Sequence, residues 1–251
     1  MPDSLDSSDR PDQQTDRDTP RPQDNIPDYL IQTYYWAYLN PRHVRLLDRP
    51  LVVNVILWGN ARRLMTIAAK EFTSGQHVLQ ASCVYGGLTH LLLQKLGNDG
   101  SLDVVDVAPV QLANLRRKLP ADARISYHTA NLAQPGVLAS TTGTYDSVCC
   151  FFLLHEVPEK ERAIIVHNLL EQVAPGGKIV FVDYHRMHRF HPLRPIMSVV
   201  FHWLEPYALS LLPQDITTLS VLGKEFSWHK ETLFGGLYQY ITGTRNNDRS
   251  D

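Results

Sequence analysis

Five short apolar runs, at 77–81, 102–106, 124–128, 147–153 and 178–183, alternate with stretches of helical character. Within 109–119, Leu112, Leu115 and Leu119 recur at helical spacing, with Pro109 in a first-turn position. Within 159–173, Ile165, Leu169 and Val173 share a face, and Pro175-Gly176-Gly177 stops the pattern. A strand, a helix and another strand in this rhythm pair in parallel, because the helix carries the chain back to the starting end of the sheet. The expected fold class is α/β with a doubly wound parallel sheet. Beyond it, 225–234 and 237–242 flank Gly235-Gly236 and predict a terminal antiparallel hairpin, completing seven strands.

Organisation along the chain follows from composition. Residues 1–25 hold seven Asp, three Arg and no Lys, with Leu5 their only large apolar residue. Such a stretch buries too little surface to fold, so an acidic disordered leader is expected at 1–25. It carries −4 of the formal −2, which leaves a body of +2 and no signature of nucleic-acid binding. Residues 26–75 are aromatic and read as an N-terminal helical cap, with Tyr34, Tyr35, Trp36 and Tyr38 clustered before Pro41. The main domain is expected at 76–244, with an apolar insertion at 186–213 punctuated by four prolines, and a disordered tail at 245–251. No run approaches the roughly 20 apolar residues that span a bilayer. The start of the chain is acidic and has no apolar core, so it is expected to be neither a signal nor a transit peptide. Cys149 and Cys150 fall in a predicted strand and read as core thiols in a reducing, cytoplasmic compartment.

In a parallel sheet, ligands gather at the carboxyl ends of the strands. Five parallel strands followed by an antiparallel pair resemble the Rossmann-like layout of class I S-adenosylmethionine-dependent methyltransferases. In that pattern the turn after the first strand, QASCVYGG, holds the methionine part of the cofactor near Gln80, Ala81, Tyr85 and Gly86. Its alternative role is an ordinary strand–helix turn. Asp106 with Val107 closes the second strand, where an acid binds ribose hydroxyls or serves as a helix cap. Asn131 with Leu132 closes the third, where the pattern has an Asp facing the adenine amino group; an amide oxygen can accept from the same donor. The turn also departs from the pattern. Gln80, Ser82 and Val84 stand where an acid and two glycines are usual, which implies either a dead site or a cofactor held differently.

Histidines and carboxylates crowd the fourth and fifth strand ends: His155 and Glu156, then Asp183, His185, His188 and His191. Imidazole and carboxylate together suit Mn²⁺ or Mg²⁺. The plainer roles are an exposed loop residue for His188 and a backbone hydrogen bond for His155. The insertion and the aromatic cap read either as helices covering the sheet or as a lid for a large apolar substrate resting on a membrane. Trp36, Tyr38, Trp203 and Tyr207 suit an interface, and Arg42, Arg45, Arg62, Arg63 and Arg194 suit anionic headgroups.

Taken together, YYWAYLNPRHVRLLDRPLVVNVILWGNARRL, ASCVYGG, FLLHEVP and VDYHR…HPLRP…VFHWLEPYA resemble the bacterial rhodoquinone biosynthesis enzymes, over about 29–244. The resemblance implies conversion of ubiquinone to rhodoquinone by exchange of a ring methoxy for an amino group. It also implies S-adenosylmethionine as the nitrogen source and a manganese requirement, while the aromatic and arginine-rich segments make the inner-membrane surface the expected place of work. The expected catalytic residues are Tyr85, His155 and Tyr184, and the expected metal ligands are His155, Asp183 and His185. Without a carboxylate at position 80, the methionine amine is expected to be held less firmly as an ammonium. Two alternatives stay open: a conventional methyltransferase of a quinone or lipid-like substrate, and an inactive binding module on the same fold.

Overall fold

The computed structural model describes residues 26–119, 121–138 and 144–247. The expected leader at 1–25 lies outside the described residues, as do 248–251 of the expected tail. Four short helices open the described chain: α1 (Asp28–Tyr34), α2 (Pro41–Leu47), α3 (Pro50–Ile56) and α4 (Ala61–Ala69), with a π-helical turn, Tyr35–Leu39, after α1. Proline starts α2 and α3, where its missing N–H has no intrahelical partner to lose.

The α/β core then runs β1 (His77–Ala81), α5 (Leu88–Leu96), β2 (Ser101–Asp106), α6 (Pro109–Lys118), β3 (Ile125–Thr129), β4 (Tyr145–Phe151), α7 (Glu159–Glu171) and β5 (Val173–Tyr184). The insertion folds into α8 (Arg194–Trp203) and α9 (Ala208–Leu211), and β6 (Phe226–Leu233) and β7 (Tyr238–Arg245) form the hairpin. The sheet order is β3-β2-β1-β4-β5-β7-β6; β1 to β5 are parallel, and β7 is antiparallel to both its neighbours. This is the seven-stranded α/β sheet expected from the alternation. Its differences are local shifts of strand and helix ends, the two largest in β5 and β7. β5 begins at Val173, before Pro175-Gly176-Gly177, because Val173 already pairs with Tyr145 across a register shift. β7 continues through Arg245, where Phe226 still supplies a partner.

Apolar residues fill both faces of the sheet. One core joins α4, α5, α6 and α8 through Leu64, Ala68, Leu92, Leu112, Met197 and Phe201. The other sets α7 against β4 and β5 through Ile165, Leu169, Val148 and Ile179. The central strands are buried from both sides, which explains their unbroken apolar character. Cys149 and Cys150 are buried free thiols there, and burial pushes Cys149 up to about 12. No helix of the described residues is long and apolar enough to cross a membrane.

Candidate active site

A cleft opens at the carboxyl ends of β1, β2, β4 and β5. The core sheet supplies one wall, with Ser82–Tyr85, Asp106–Ala108, Asn131, Leu132, Phe152 and Tyr184. The cap and the insertion supply the other, with Tyr29, Tyr38, Val53, Ile56 and Glu205.

The first turn has two left-handed positions, one at Gly86 and one at a serine. Ser82 takes a φ of 70°, and its carbonyl accepts the side-chain N–H of fully buried Gln80 at 2.9 Å. Gln80, Ala81 and Gly86 stand behind the cleft rather than lining it. The N–H of Gly86 donates to Asp48 Oδ1 at 2.8 Å, and its carbonyl accepts from Lys118 Nζ at 2.9 Å. Asp48, 6% exposed, also accepts from Asn114 Nδ2 and Lys118 Nζ, so the end of α2 latches the turn to α6. Tyr85 lines the cleft with its ring stacked on Tyr38 at 5.7 Å. Its hydroxyl donates to the Ala37 carbonyl and accepts from Gln111, so both hydrogen-bonding roles are taken.

Asp106 ties the turn after β1 to the end of β2. Its carboxylate accepts from the N–H of Cys83 at 2.7 Å and that of Ala108 at 2.8 Å. Burial raises its pKa to about 6 against these hydrogen bonds. Each oxygen keeps a lone pair for a further donor. Asn131 Oδ1 accepts from the N–H of Ala133 at 2.9 Å and also lines the cleft, with Val107 and Leu132 beside it. These residues fit a nucleoside with vicinal hydroxyls and a polar ring edge.

His155 is a buried polar group on the cleft wall. Its Nδ1 lies 2.8 Å from Asp183 Oδ1, and its Nε2 lies 3.7 Å from Glu156 Oε1 and 3.9 Å from Glu205 Oε2. Tyr38 donates its hydroxyl to Glu156 Oε1, bringing the cap onto the same cluster. Burial lowers the His155 pKa, but Asp183, Glu205 and Glu156 outweigh it and carry the imidazole up to about 9. Burial raises Glu156 to about 8 despite His155, and it raises Glu205 as well. Both His155 and Glu156 are thus shifted toward proton binding near neutral pH beside the cleft. Tyr184 packs edge-on against His155, with ring centres 4.8 Å apart, and burial raises its hydroxyl far above the usual range.

The expected metal triad does not assemble. His155 and Asp183 meet, but His185 follows the end of β5 and directs Nδ1 to the carbonyl of Gly236, 3.2 Å away on the β6–β7 turn. Among the described residues no group of three His, Cys, Asp or Glu is arranged to hold a metal ion. His155 Nδ1 faces Asp183 and the other Asp183 oxygen accepts the N–H of Leu154, so the residues do not fit the ion expected of them.

Sequence reasoning missed Glu205, Tyr38 and Asp48 as members of the site. Glu205 is the only acid in the 186–213 insertion, and that isolation was its one visible signal.

Comparison with known proteins bears on the same strands. The chain is 28% identical over 152 residues to the ubiquinone/menaquinone biosynthesis C-methyltransferase UbiE of Legionella pneumophila, covering 59% of this chain and 56% of that one. It is 28% identical over 129 residues to a ubiquinone biosynthesis O-methyltransferase of Xanthomonas oryzae pv. oryzae, covering 51% of each. The chain thus spans about half the length of the curated relatives it matches. In fold it resembles the N-methyltransferase NodS from Bradyrhizobium japonicum WM9 in complex with S-adenosyl-L-homocysteine, with a TM-score of 0.51, 16% identity, and coverage of 82% of this chain and 93% of NodS. Residues 78–177, which hold β1 to β4, α5 to α7 and the start of β5, match the methyltransferase domain family.

Proposed function

We propose that this protein exchanges a ring methoxy group of a ubiquinone-type quinone for an amino group, with S-adenosylmethionine as nitrogen source. The observation that carries the reading is the buried cluster on the cleft wall in which His155 Nε2 faces Glu156 and Glu205, with His155 and Glu156 both pushed toward binding a proton. Transfer of a methyl group to a phenol needs a base alone. Displacement of methoxide from a quinone needs an acid, because methoxide leaves as methanol and the ring carbonyl gains electron density during attack. The resemblance to rhodoquinone biosynthesis enzymes and the quinone-pathway relatives support the same substrate class.

S-adenosylmethionine would supply the amine when bound: its nitrogen bonds the ring carbon as the methoxy carbon–oxygen bond breaks, and its own bond to the α-carbon then breaks by loss of the α-proton and hydrolysis, leaving an α-keto acid and the aminated ring at the quinol level. Asp106, Val107, Asn131 and Leu132 would hold its nucleoside. The chain's own groups do the proton work. Asp183 fixes His155 so that Nε2 faces the two glutamates. The imidazolium, or Glu156 in its acid form, protonates the departing methoxy oxygen. Tyr184 keeps the imidazole edge dry, and no step is assigned to a metal. Tyr85 serves as a wall with its hydroxyl engaged, rather than as a proton carrier.

Quinone extraction and mass analysis from a ubiquinone-producing host tests this. Amino-for-methoxy exchange lowers the quinone mass by about 15 units, an atom count that marks the reaction class. An unchanged quinone pool in a host that accumulates the folded protein overturns the reading. A second reading, methyl transfer to a quinone-pathway substrate, is favoured by the names of the relatives and predicts a gain of about 14 units instead.

A further inference from the structure

Thirteen of the fourteen large hydrophobic side chains that the described residues leave exposed lie in two segments, 28–69 and 186–213. On α8, Met197 and Phe201 enter the core, while Ile196, Val199 and Trp203 form an outward stripe at i, i+3 and i+7. On α3, Val53 points inward, while Leu51 and Val55 are 75% and 66% exposed. A helix on a protein surface normally turns charge outward, so both helices are inverted relative to a water-facing surface. The segments adjoin: Trp58 Nε1 donates to Met197 Sδ at 3.2 Å, and the rings of Tyr29 and Tyr207 meet at 5.8 Å. Scattered exposed apolar residues need no explanation, whereas a continuous patch of them does.

Charge identifies the occupant. Exposed arginines on these segments are Arg42, Arg45, Arg49, Arg62 and Arg63, then Arg186, Arg189 and Arg194. The single exposed acid there is Asp28. A second copy of the chain docking on this face would set two arginine-rich surfaces against each other. An anionic bilayer meets both features, taking the apolar stripe below its headgroups and the arginines among them. The helices are 7 and 10 residues long, too short to span and suited to lie in the plane. Ile56 belongs to both surfaces, 43% exposed and lining the cleft, so the cleft mouth opens within the patch.

We infer that α3 and α8 seat the protein on an anionic lipid surface with the cleft mouth facing the bilayer. Sedimentation with quinone-free vesicles tests it, using phosphatidylcholine alone or with roughly one third phosphatidylglycerol. The full chain is expected to pellet with the anionic vesicles and to be released by high salt. Arg45→Gln and Arg49→Gln each weaken partitioning about fivefold. Val55→Asp with Trp203→Asp weakens it by more than about tenfold, since charge enters the apolar zone. Failure to pellet with either vesicle, or binding indifferent to salt and to these substitutions, overturns the inference. So does a dimer in light scattering that Val55→Asp with Trp203→Asp dissolves while vesicles capture nothing. Should that double variant misfold by circular dichroism, the arginine variants and the salt titration of the unaltered chain still decide. The vesicles hold no quinone and binding is read without turnover, whereas amination is read as the mass of quinone extracted from the host, so a protein that binds vesicles and leaves the quinone unchanged overturns the proposed reaction and not this inference.

Discussion

His155 and Asp183 stand 2.8 Å apart at adjoining strand ends, and Asp183 is fixed further by the N–H groups of Leu154 and Tyr184. The aspartate is the strongest of the groups that keep the buried imidazole charged. Asp183→Asn preserves shape and removes that charge. The imidazole pKa is then expected to fall from about 9 toward or below its ordinary value, as followed by proton NMR titration of His155. Turnover at neutral pH should drop at least about tenfold, because general acid catalysis commonly contributes 10²–10⁴. Equal activity in wild type and Asp183→Asn across the pH range would remove His155 from the mechanism.

The same cluster sets a pH dependence of stability. His155 titrates near 9 in the folded chain against 6.5 unfolded, and Glu156 near 8 against 4.5. Both are raised, so the folded state binds more protons. Their contribution is whole below the unfolded values and is lost as pH rises through the folded ones. Chemical denaturation should therefore show falling stability from pH 6.5 to 9, by at most about 3 kcal/mol for the histidine. His155→Gln should flatten the upper part of that slope, and Glu156→Gln the part between 4.5 and 8.

The sheet was legible because alternation of apolar strands with helices is local information, repeated along 77–183. So were the wall residues Asp106, Val107, Asn131 and Leu132, since a strand end places its own side chains. His185 misled because adjoining strand ends suggest convergence, whereas the β6–β7 turn captures its ring through the carbonyl of Gly236. Glu205 and Tyr38 lie far in sequence from the strand ends, and only packing across the chain brings them to Glu156 and His155. Asp48 was invisible for the same reason: its partners, Gly86, Asn114 and Lys118, lie 38 to 70 residues away.

Two backbone positions in the first turn predict opposite responses. Ser82 holds a left-handed φ of 70°, which disfavours a side chain, so Ser82→Gly should stabilise the fold by about 1 kcal/mol. Gly86 has a φ of 92°, and an added Cβ would come 2.5 Å from the Met65 methyl. Gly86→Ala should destabilise by about 2 kcal/mol through strain and overpacking. Urea denaturation of the pair checks the signs.

Asp48 connects the cap to the turn after β1 through three donors. Asp48→Ala leaves the Gly86 N–H and the Asn114 amide without their acceptor and the Lys118 ammonium without its counter-ion. The expected cost is about 3 kcal/mol, typical of breaking a buried charged contact. Because the turn is then held at one end only, affinity for S-adenosyl-L-homocysteine, measured by calorimetry, should fall more than it does for Lys118→Met. That substitution leaves Asp48 bonded to the other two groups.

Gln80 is the sharpest departure from the methyltransferase pattern, and the structure changes what its replacement means. The Gln80 amide donates to the carbonyl of Ser82, and its own carbonyl oxygen is buried without a hydrogen-bond partner. Gln80→Glu would turn the donor into a carboxylate facing that carbonyl, in a position with no exposure. An unpaired buried charge costs several kcal/mol unless it takes up a proton, so the new glutamate should titrate well above 4.3. While protonated it can donate to Ser82 and keep the turn intact. Once ionised it would attract an ammonium and hold the donor amine in its unreactive form. Amination by Gln80→Glu should therefore approach wild type at acidic pH and fall away steeply as pH rises. A pH–rate profile parallel to that of wild type would show that position 80 has no electrostatic hold on the amine.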